Sequence, residues 1–153
     1  MNLKTKHFGE IEIDESKIID FAEGLPGFES YKKFALFSEE TASGGDTGGL
    51  FWWLQAVDNG DIAFVLMDAL LVKPDYDPKV DVKELASLGE FVPEDLLVYN
   101  ITIIPDDISQ LSVNLRAPII INSATKKGRQ VLVNNEDYPV RCYIYDELKN
   151  RDK

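Results

Sequence analysis

Cysteine and histidine are almost absent from this sequence, which contains one of each, Cys142 and His7. An internal disulfide is therefore impossible, which is typical of proteins in a reducing compartment. A structural zinc site needs four nitrogen or sulfur ligands, and a catalytic Ser-His-Asp or Cys-His arrangement would have to use His7. We therefore predict no metal, no cofactor and no catalytic site built on histidine or cysteine, and we interpret Cys142 as an inert thiol. Counting alone leaves a catalytic pair among the abundant carboxylates open.

Long apolar runs and a basic surface are also lacking. No run approaches the roughly 18 apolar residues of a membrane-spanning helix, and the polar N-terminus lacks the apolar core of a secretion signal. Acidic residues outnumber basic ones by 27 to 16, giving a net charge of −11. Nucleic acid and anionic lipid both attract basic surfaces. We expect a cytoplasmic protein without direct nucleic-acid or membrane binding, whose acidity serves either solubility or a basic protein partner.

Helical periodicity is rare in the 153 residues, a length that suits one domain. One helix is predicted at about 81–88, with Gly89 as its stop. Turn signals every eight to twelve residues or so separate about nine short strands, which favours a barrel or sandwich. We predict a mainly β, single-domain, small β-barrel-like fold of short antiparallel strands with one or two short helices. The domain is placed at 1–148 and a charged C-terminal tail at 149–153.

The predicted strands come from period-two alternation and β-branched runs. A hairpin pattern surrounds Gly9, and Asn59-Gly60 between apolar runs is a strong hairpin signal. Residues 126–129 are interpreted as a turn, and a Gly-rich loop is predicted from Ser38 to Gly49. The other strands are predicted at 34–37, 96–104, 111–115, 118–122, 130–133 and 140–145.

Charge and aromatic residues are concentrated in two places. From Glu10 to Glu29 there are seven acids and one lysine, a local charge of −6 (seven minus one), and this segment contains the apolar turn 25–28. Trp52 and Trp53 are adjacent, so on a strand they would point to opposite faces, one into the core and one towards solvent, a loop or a partner. Both features are typical of binding surfaces, but a solvated hairpin and simple core cover fit them equally well.

Short motifs occur along the chain from about residue 3 to 141. They are TKHFGEI at 5–11, GLPGFE at 24–29, LQAV at 54–57, AFV at 63–65, PDY at 74–76, NLRAPIIIN at 114–122 and GRQVL at 128–132. In this order they resemble the FliW family of flagellar assembly factors. The chain departs from the family pattern in a longer, Gly-rich loop at 39–49 and in Ala69, where the family often has proline.

The resemblance implies a β-barrel-like fold, no catalytic residues and two protein partners. One is flagellin, held in the cytoplasm before export. The other is CsrA, a dimeric translational repressor that binds flagellin messenger RNA. Free FliW would relieve repression by binding CsrA, and accumulating flagellin would capture FliW and restore repression. We expect a monomer.

Two hypotheses about residues follow, both of which concern partner binding. An acidic partner surface would include Glu10, Glu12, Asp14, Glu23 and Glu29, because an RNA-binding repressor must carry a basic surface. Flagellin would contact apolar anchors, Phe28 and an exposed Trp52 or Trp53, because it presents amphipathic helices. The alternatives left open are a small-molecule-binding β-barrel, a carboxylate-based enzyme and a structural subunit of an assembly.

Overall fold

The protein is described by a computed structural model, which covers residues 1–38 and 51–151. The predicted Gly-rich loop at 39–49 and the last two residues lie outside the described residues. Within the described ranges no helix is long and apolar enough to cross a bilayer.

Short strands make up most of the described regular structure. They are β1 (Asn2–Thr5), β2 (Gly9–Glu12), β3 (Ile18–Asp20), β4 (Lys33–Ser38), β5 (Trp52–Ala56), β6 (Ala63–Met67), β7 (Leu96–Ile103), β8 (Ser112–Val113), β9 (Ile119–Asn122), β10 (Lys127–Gln130) and β11 (Cys142–Tyr143). The described α-helices are α1 (Val82–Leu85) and α2 (Tyr145–Arg151), and 3-10 turns lie at Glu15–Lys17, Ala69–Leu71, Ala86–Leu88, Pro93–Asp95 and Ile108–Gln110.

Seven of these strands close into a barrel. Their order around the ring is β7-β6-β5-β4-β3-β10-β9, and β9 pairs with β7 to complete it. All the pairings in the ring are antiparallel except β10 with β3, where Lys127 lies opposite Asp20 in a parallel bridge. The predicted mainly β, barrel-like fold is confirmed.

The barrel interior is filled by apolar side chains. Strand alternation sends Phe34 and Leu36 of β4 inward, and Phe21 packs edge-on against Phe34 with ring centroids 5.4 Å apart. A filled interior is normal for a small barrel, whose diameter just accommodates its side chains. The buried cluster contains Ile19, Phe21, Leu25, Phe34, Leu36, Leu54, Ala56, Leu66, Ile119 and Ile121.

Three further apolar clusters lie on the outside of the barrel wall. The β1–β2 hairpin covers Ala35 and Phe37 of β4, the C-terminal segment covers Met67 of β6, and the α1 region covers Ile120 of β9. These strands are buried on both faces, so they read as continuous apolar runs rather than alternating ones. The covering elements therefore form part of the outer surface of the protein.

Most predicted elements are confirmed. The hairpins around Gly9 and Asn59-Gly60 are present, and the predicted helix is α1 continued by the turn Ala86–Leu88, which ends at Gly89 with φ 84°. A second short helix was allowed by the prediction, but its place was not: α2 begins where a strand was predicted to end. It crosses the proposed boundary at residue 148, so the division into domain and tail stays a prediction.

The prediction of a turn at 126–129 and a strand at 130–133 is wrong. The turn comes earlier, because the Asn122 side-chain oxygen accepts hydrogen bonds from the Ala124 and Thr125 amides and Lys126 adopts φ 59°. Gly128 is then a strand residue of β10. It serves a close approach to the core rather than a turn, since a Cβ atom there would lie 2.7 Å from the Phe21 ring.

We predict that Gly128→Ala lowers the free energy of unfolding by about 1–3 kcal/mol, because the added methyl group overlaps Phe21 and Ile19 in a filled core. Urea unfolding followed by tryptophan fluorescence measures the change. In the double variant with Phe21→Leu, the overlap is relieved, so the two effects should be less than additive. Equal stability of Gly128→Ala and the parent, within about 0.5 kcal/mol, would contradict this packing.

Candidate functional site

The N-terminal hairpin presents acids to solvent. On β2, Ile11 packs towards the outer cluster under the hairpin, while Glu10 and Glu12 on either side of it are exposed. Asp14 caps the following 3-10 turn, where its Oδ1 accepts the Ser16 amide at 2.9 Å. Hydrogen bonds from Ser16 lower the pKa of Asp14 below its ordinary value, so the carboxylate stays charged at neutral pH.

A small pocket joins part of this acidic hairpin to an aromatic residue. Glu12, Asp14 and Trp52 share a cavity of about 170 Å³ with Lys17, and its remaining lining residues are Ile13, Phe37 and Ser38. The structure therefore brings together three of the predicted partner residues. Lys17 offsets part of the local negative charge at the same place.

Glu23 is engaged elsewhere. Its Oε2 lies 3.0 Å from Arg129 Nη2, and the same nitrogen lies 2.9 Å from Glu84 Oε2. Arg129 also donates through Nη1 to the Glu84 carbonyl oxygen at 3.2 Å. This bridge joins the segment after β3 to β10 and α1, so Glu23 contributes to holding these elements together. Sequence reasoning missed Arg129 and Glu84, since no local pattern marks partners this far apart in the chain.

The turn that carries Phe28 and Glu29 is built on glycine. Gly24 has φ 66°, and a Cβ atom there would lie 2.6 Å from the Glu29 Cα, so a larger residue does not fit. Glu29 Oε1 accepts the Gly27 amide at 3.1 Å, and this hydrogen bond lowers the pKa of Glu29. Phe28 is half-buried, with its ring edge-on to Phe64 at 5.3 Å.

Trp52 and Trp53 lie on opposite faces of β5, as strand geometry predicts. Trp52 packs with the barrel interior, with its ring centroid 5.6 Å from that of Tyr99. Trp53 packs on the outside beneath the hairpin, 5.0 Å from the Phe8 ring and 4.8 Å from the His7 ring. Both indoles are half-buried. Each tryptophan therefore contributes to packing and offers only part of its ring to a partner.

The described residues give little support to the catalytic alternatives. A catalytic acid at neutral pH needs a raised pKa. Hydrogen bonds lower the pKa of Asp14, Glu29 and Asp107, which is the opposite of that requirement. Burial raises the pKa of the Cys142 thiol, which makes it less nucleophilic at neutral pH. The apolar side chains that fill the barrel argue against a ligand site inside it.

Metal binding has no candidate in the part of the chain that the structure describes. Within it, no three His, Cys, Asp or Glu side chains are grouped so that they could hold an ion. Aromatic residues surrounded by a polar rim also occur in protein–protein interfaces.

A family model described as FliW protein matches residues 2–144. The chain belongs to the FliW family. Among FliW relatives, the flagellar assembly factor FliW of Alkaliphilus metalliredigens is 42% identical over 149 residues, covering 97% of this chain and 89% of the relative. That of Caldicellulosiruptor bescii is 39% identical over 151 residues, covering 99% and 95%. The resemblance found in the sequence motifs is confirmed.

A solved FliW structure has the same fold. The chain is similar to the crystal structure of a flagellar assembly factor FliW, with a TM-score of 0.83 and 32% sequence identity. The match covers 94% of this chain and 96% of that chain. The barrel together with its covering hairpin and C-terminal segment is therefore the FliW fold.

Proposed function

We propose that this chain is a non-catalytic flagellar assembly factor that binds flagellin in the cytoplasm and antagonises the translational repressor CsrA, so that flagellin level is coupled to its translation. The observation that carries the proposal is the family match over residues 2–144, with relatives named as flagellar assembly factors. The identity of the two partners, flagellin and CsrA, is what the resemblance to the FliW family implies.

Electrostatics supports CsrA as a partner. A repressor that binds RNA needs a basic surface, and a partner with a net charge of −11 is attracted to it over roughly a Debye length, about 10 Å at moderate salt. Glu10, Glu12 and Asp14 are exposed, and no described cation lies within ion-pair distance of them. Once bound, their field would also disfavour RNA phosphate at the same surface. We therefore place the acidic contact on the hairpin, with Glu29 as a further candidate and Glu23 as the least available.

Apolar contacts are proposed for flagellin. Phe28, Trp52 and Trp53 each leave part of a ring accessible, and rings held by a rigid core lose little side-chain entropy on binding. An amphipathic helix of flagellin would pack its apolar face against them. Because these rings also pack internally, the binding contribution has to be separated from the folding contribution by conservative substitutions.

We predict that Glu10→Gln with Glu12→Gln weakens CsrA binding by about five-fold at ~50 mM salt and by less than about two-fold at ~300 mM salt, because exposed charges are screened. Calorimetric titration at both salt concentrations measures this. Asp106→Asn with Asp137→Asn is the matched control, because either pair raises the net charge from −11 to −9 (−11 + 2) and all four side chains are exposed.

If both double variants lost the same CsrA affinity, only net charge would matter, and the hairpin would be ruled out as the contact surface. If the parent protein bound neither flagellin nor CsrA, the proposed function itself would be wrong.

We predict that Phe28→Leu and Trp53→Phe each weaken flagellin binding by at least about three-fold, because ring area at the contact is lost while apolar packing is retained. Phe91→Leu, a change at an aromatic residue that is 38% exposed, is the control and should leave the affinity unchanged. Calorimetry measures the affinity, and thermal melts verify that each variant is folded. Unchanged flagellin affinity in both folded variants would contradict the aromatic contact.

A further inference from the structure

The barrel wall has a gap beside the first half of β7. Antiparallel strands direct the backbone groups of successive residues to alternate sides. The Ile101 carbonyl accepts the Asn114 amide at 2.9 Å, on the side of β8 and β9, so the backbone groups of Leu97 and Tyr99 also point to that side. Those of Val98 and Asn100 point the opposite way, towards β6.

Strand β6 ends before it reaches Val98. The last pair between the two strands is Met67 with Asn100, and the chain then leaves the sheet at Asp68, whose Oδ1 accepts the Leu70 amide at 3.0 Å and caps a 3-10 turn. The Val98 N–H and C=O groups therefore face beyond the end of β6. Among the described residues they have no backbone hydrogen-bond partner on that side.

A cleft of about 300 Å³ occupies this gap. Its walls are mainly apolar, and none of its lining residues is basic. The lining residues are Asp68, Leu70, Tyr76, Pro78, Leu96, Leu97, Val98, Tyr99 and Asn100.

Asn100 supplies an unused acceptor at the cleft. Its side chain is fully buried, and Nδ2 donates to the Asn114 carbonyl oxygen at 2.8 Å and to the Tyr76 hydroxyl at 3.1 Å. A carbonyl oxygen only accepts, so these contacts fix which end of the amide is nitrogen. Asn100 Oδ1 is left with no hydrogen-bond partner in the described part of the chain. Since buried polar groups are nearly always satisfied, this oxygen points to a missing donor.

Negative charge lies at the same cleft. Asp68 and Tyr99 both line the cleft, and burial together with the nearby charge of Asp68 raises the pKa of Tyr99. The cleft is thus lined by Asp68, by Asn100 with its buried, unpaired Oδ1, and by Val98 with a backbone donor and acceptor. A donor and an acceptor on one strand residue match the backbone of another extended chain.

We propose that this cleft binds a short extended peptide segment that carries a basic side chain. The segment adds as a strand where β6 ends, with its backbone paired to Val98, an N–H donor on Asn100 Oδ1 and the basic group against Asp68. Leu96–Tyr99 of β7 have no pairing partner in β6, so an added strand of about three residues matches the unpaired length. This inference rests on the geometry of the cleft and not on the proposed binding of flagellin or CsrA.

The test is a nuclear magnetic resonance titration of the full chain with capped tripeptides, acetyl-Val-Arg-Val-methylamide and acetyl-Val-Glu-Val-methylamide. In the free protein, the Val98 amide should exchange its hydrogen faster than the paired amides of Leu97 and Tyr99. The arginine peptide should shift the Val98 backbone and Asn100 side-chain signals saturably and slow Val98 exchange by at least about five-fold. The glutamate peptide should bind at least about ten-fold more weakly.

Asp68→Asn should weaken binding of the arginine peptide by about five-fold or more, because it removes the charge but keeps an oxygen that can cap the turn. Asp107→Asn makes the same change at the 3-10 turn Ile108–Gln110, where Asp107 Oδ1 accepts the Ser109 amide, and should have no effect. The proposal is overturned by slow Val98 exchange in the free protein, by no saturable shift at the cleft with millimolar peptide, or by binding that is indifferent to the peptide's charge or to Asp68→Asn.

Discussion

Closure of the barrel depends on strand β7, which changes its neighbour along its length. Its first half, Leu96–Tyr99, pairs with β9 on one side, whereas Thr102 and Ile103 pair with β8 on that same side. The second half also pairs with β6 across the strand. Only because β7 contacts both β9 and β6 does the ring close, and closure removes the unpaired edges that an open sheet of these strands would expose.

Closing a ring of seven strands leaves little internal space, and this decides which residues fit inside. Phe21 and Phe34 occupy the interior, and β10 passes close to them only because Gly128 has no side chain. The outer faces of the same strands are also apolar and need cover, which the N-terminal hairpin, the α1 region and the C-terminal segment provide. Glu10 and Glu12, which we propose as partner residues, lie on one of these covering elements, the N-terminal hairpin.

Sequence patterns of a few consecutive residues predicted the parts of the fold that depend on neighbouring residues alone. The alternation around Gly9, the Asn59-Gly60 turn and the stop at Gly89 each depend on a few consecutive residues, and the structure has them where expected. Ring closure and the role of Gly128 were not predictable in the same way, since both depend on residues distant in the chain. Gly128 follows two lysines and resembles a turn residue until Phe21 is placed against it.

The features of the candidate site also fall into those that local sequence patterns predict and those that depend on contacts between distant residues. The sequence predicted the exposure of the hairpin acids, because period-two alternation places Ile11 inward and its acidic neighbours outward. It did not predict that Glu23 is held by Arg129, or that Asn100 lines a cleft with a free oxygen, because these contacts form only when distant strands meet. Nor could adjacency alone show that both Trp52 and Trp53 are half-buried, since the hairpin and the barrel cover them from different sides.

The most direct test of the proposed role measures how much RNA is bound to CsrA, rather than the binding of this chain to either protein partner. A fluorescently labelled RNA hairpin bound to CsrA gives high anisotropy, and we predict that adding this chain lowers the anisotropy to the value of free RNA. Adding flagellin afterwards should restore the high value, in proportion to the flagellin added. Anisotropy that stays high when the chain is in excess, or that stays low after flagellin is added, would contradict the claim that this protein couples flagellin level to repression.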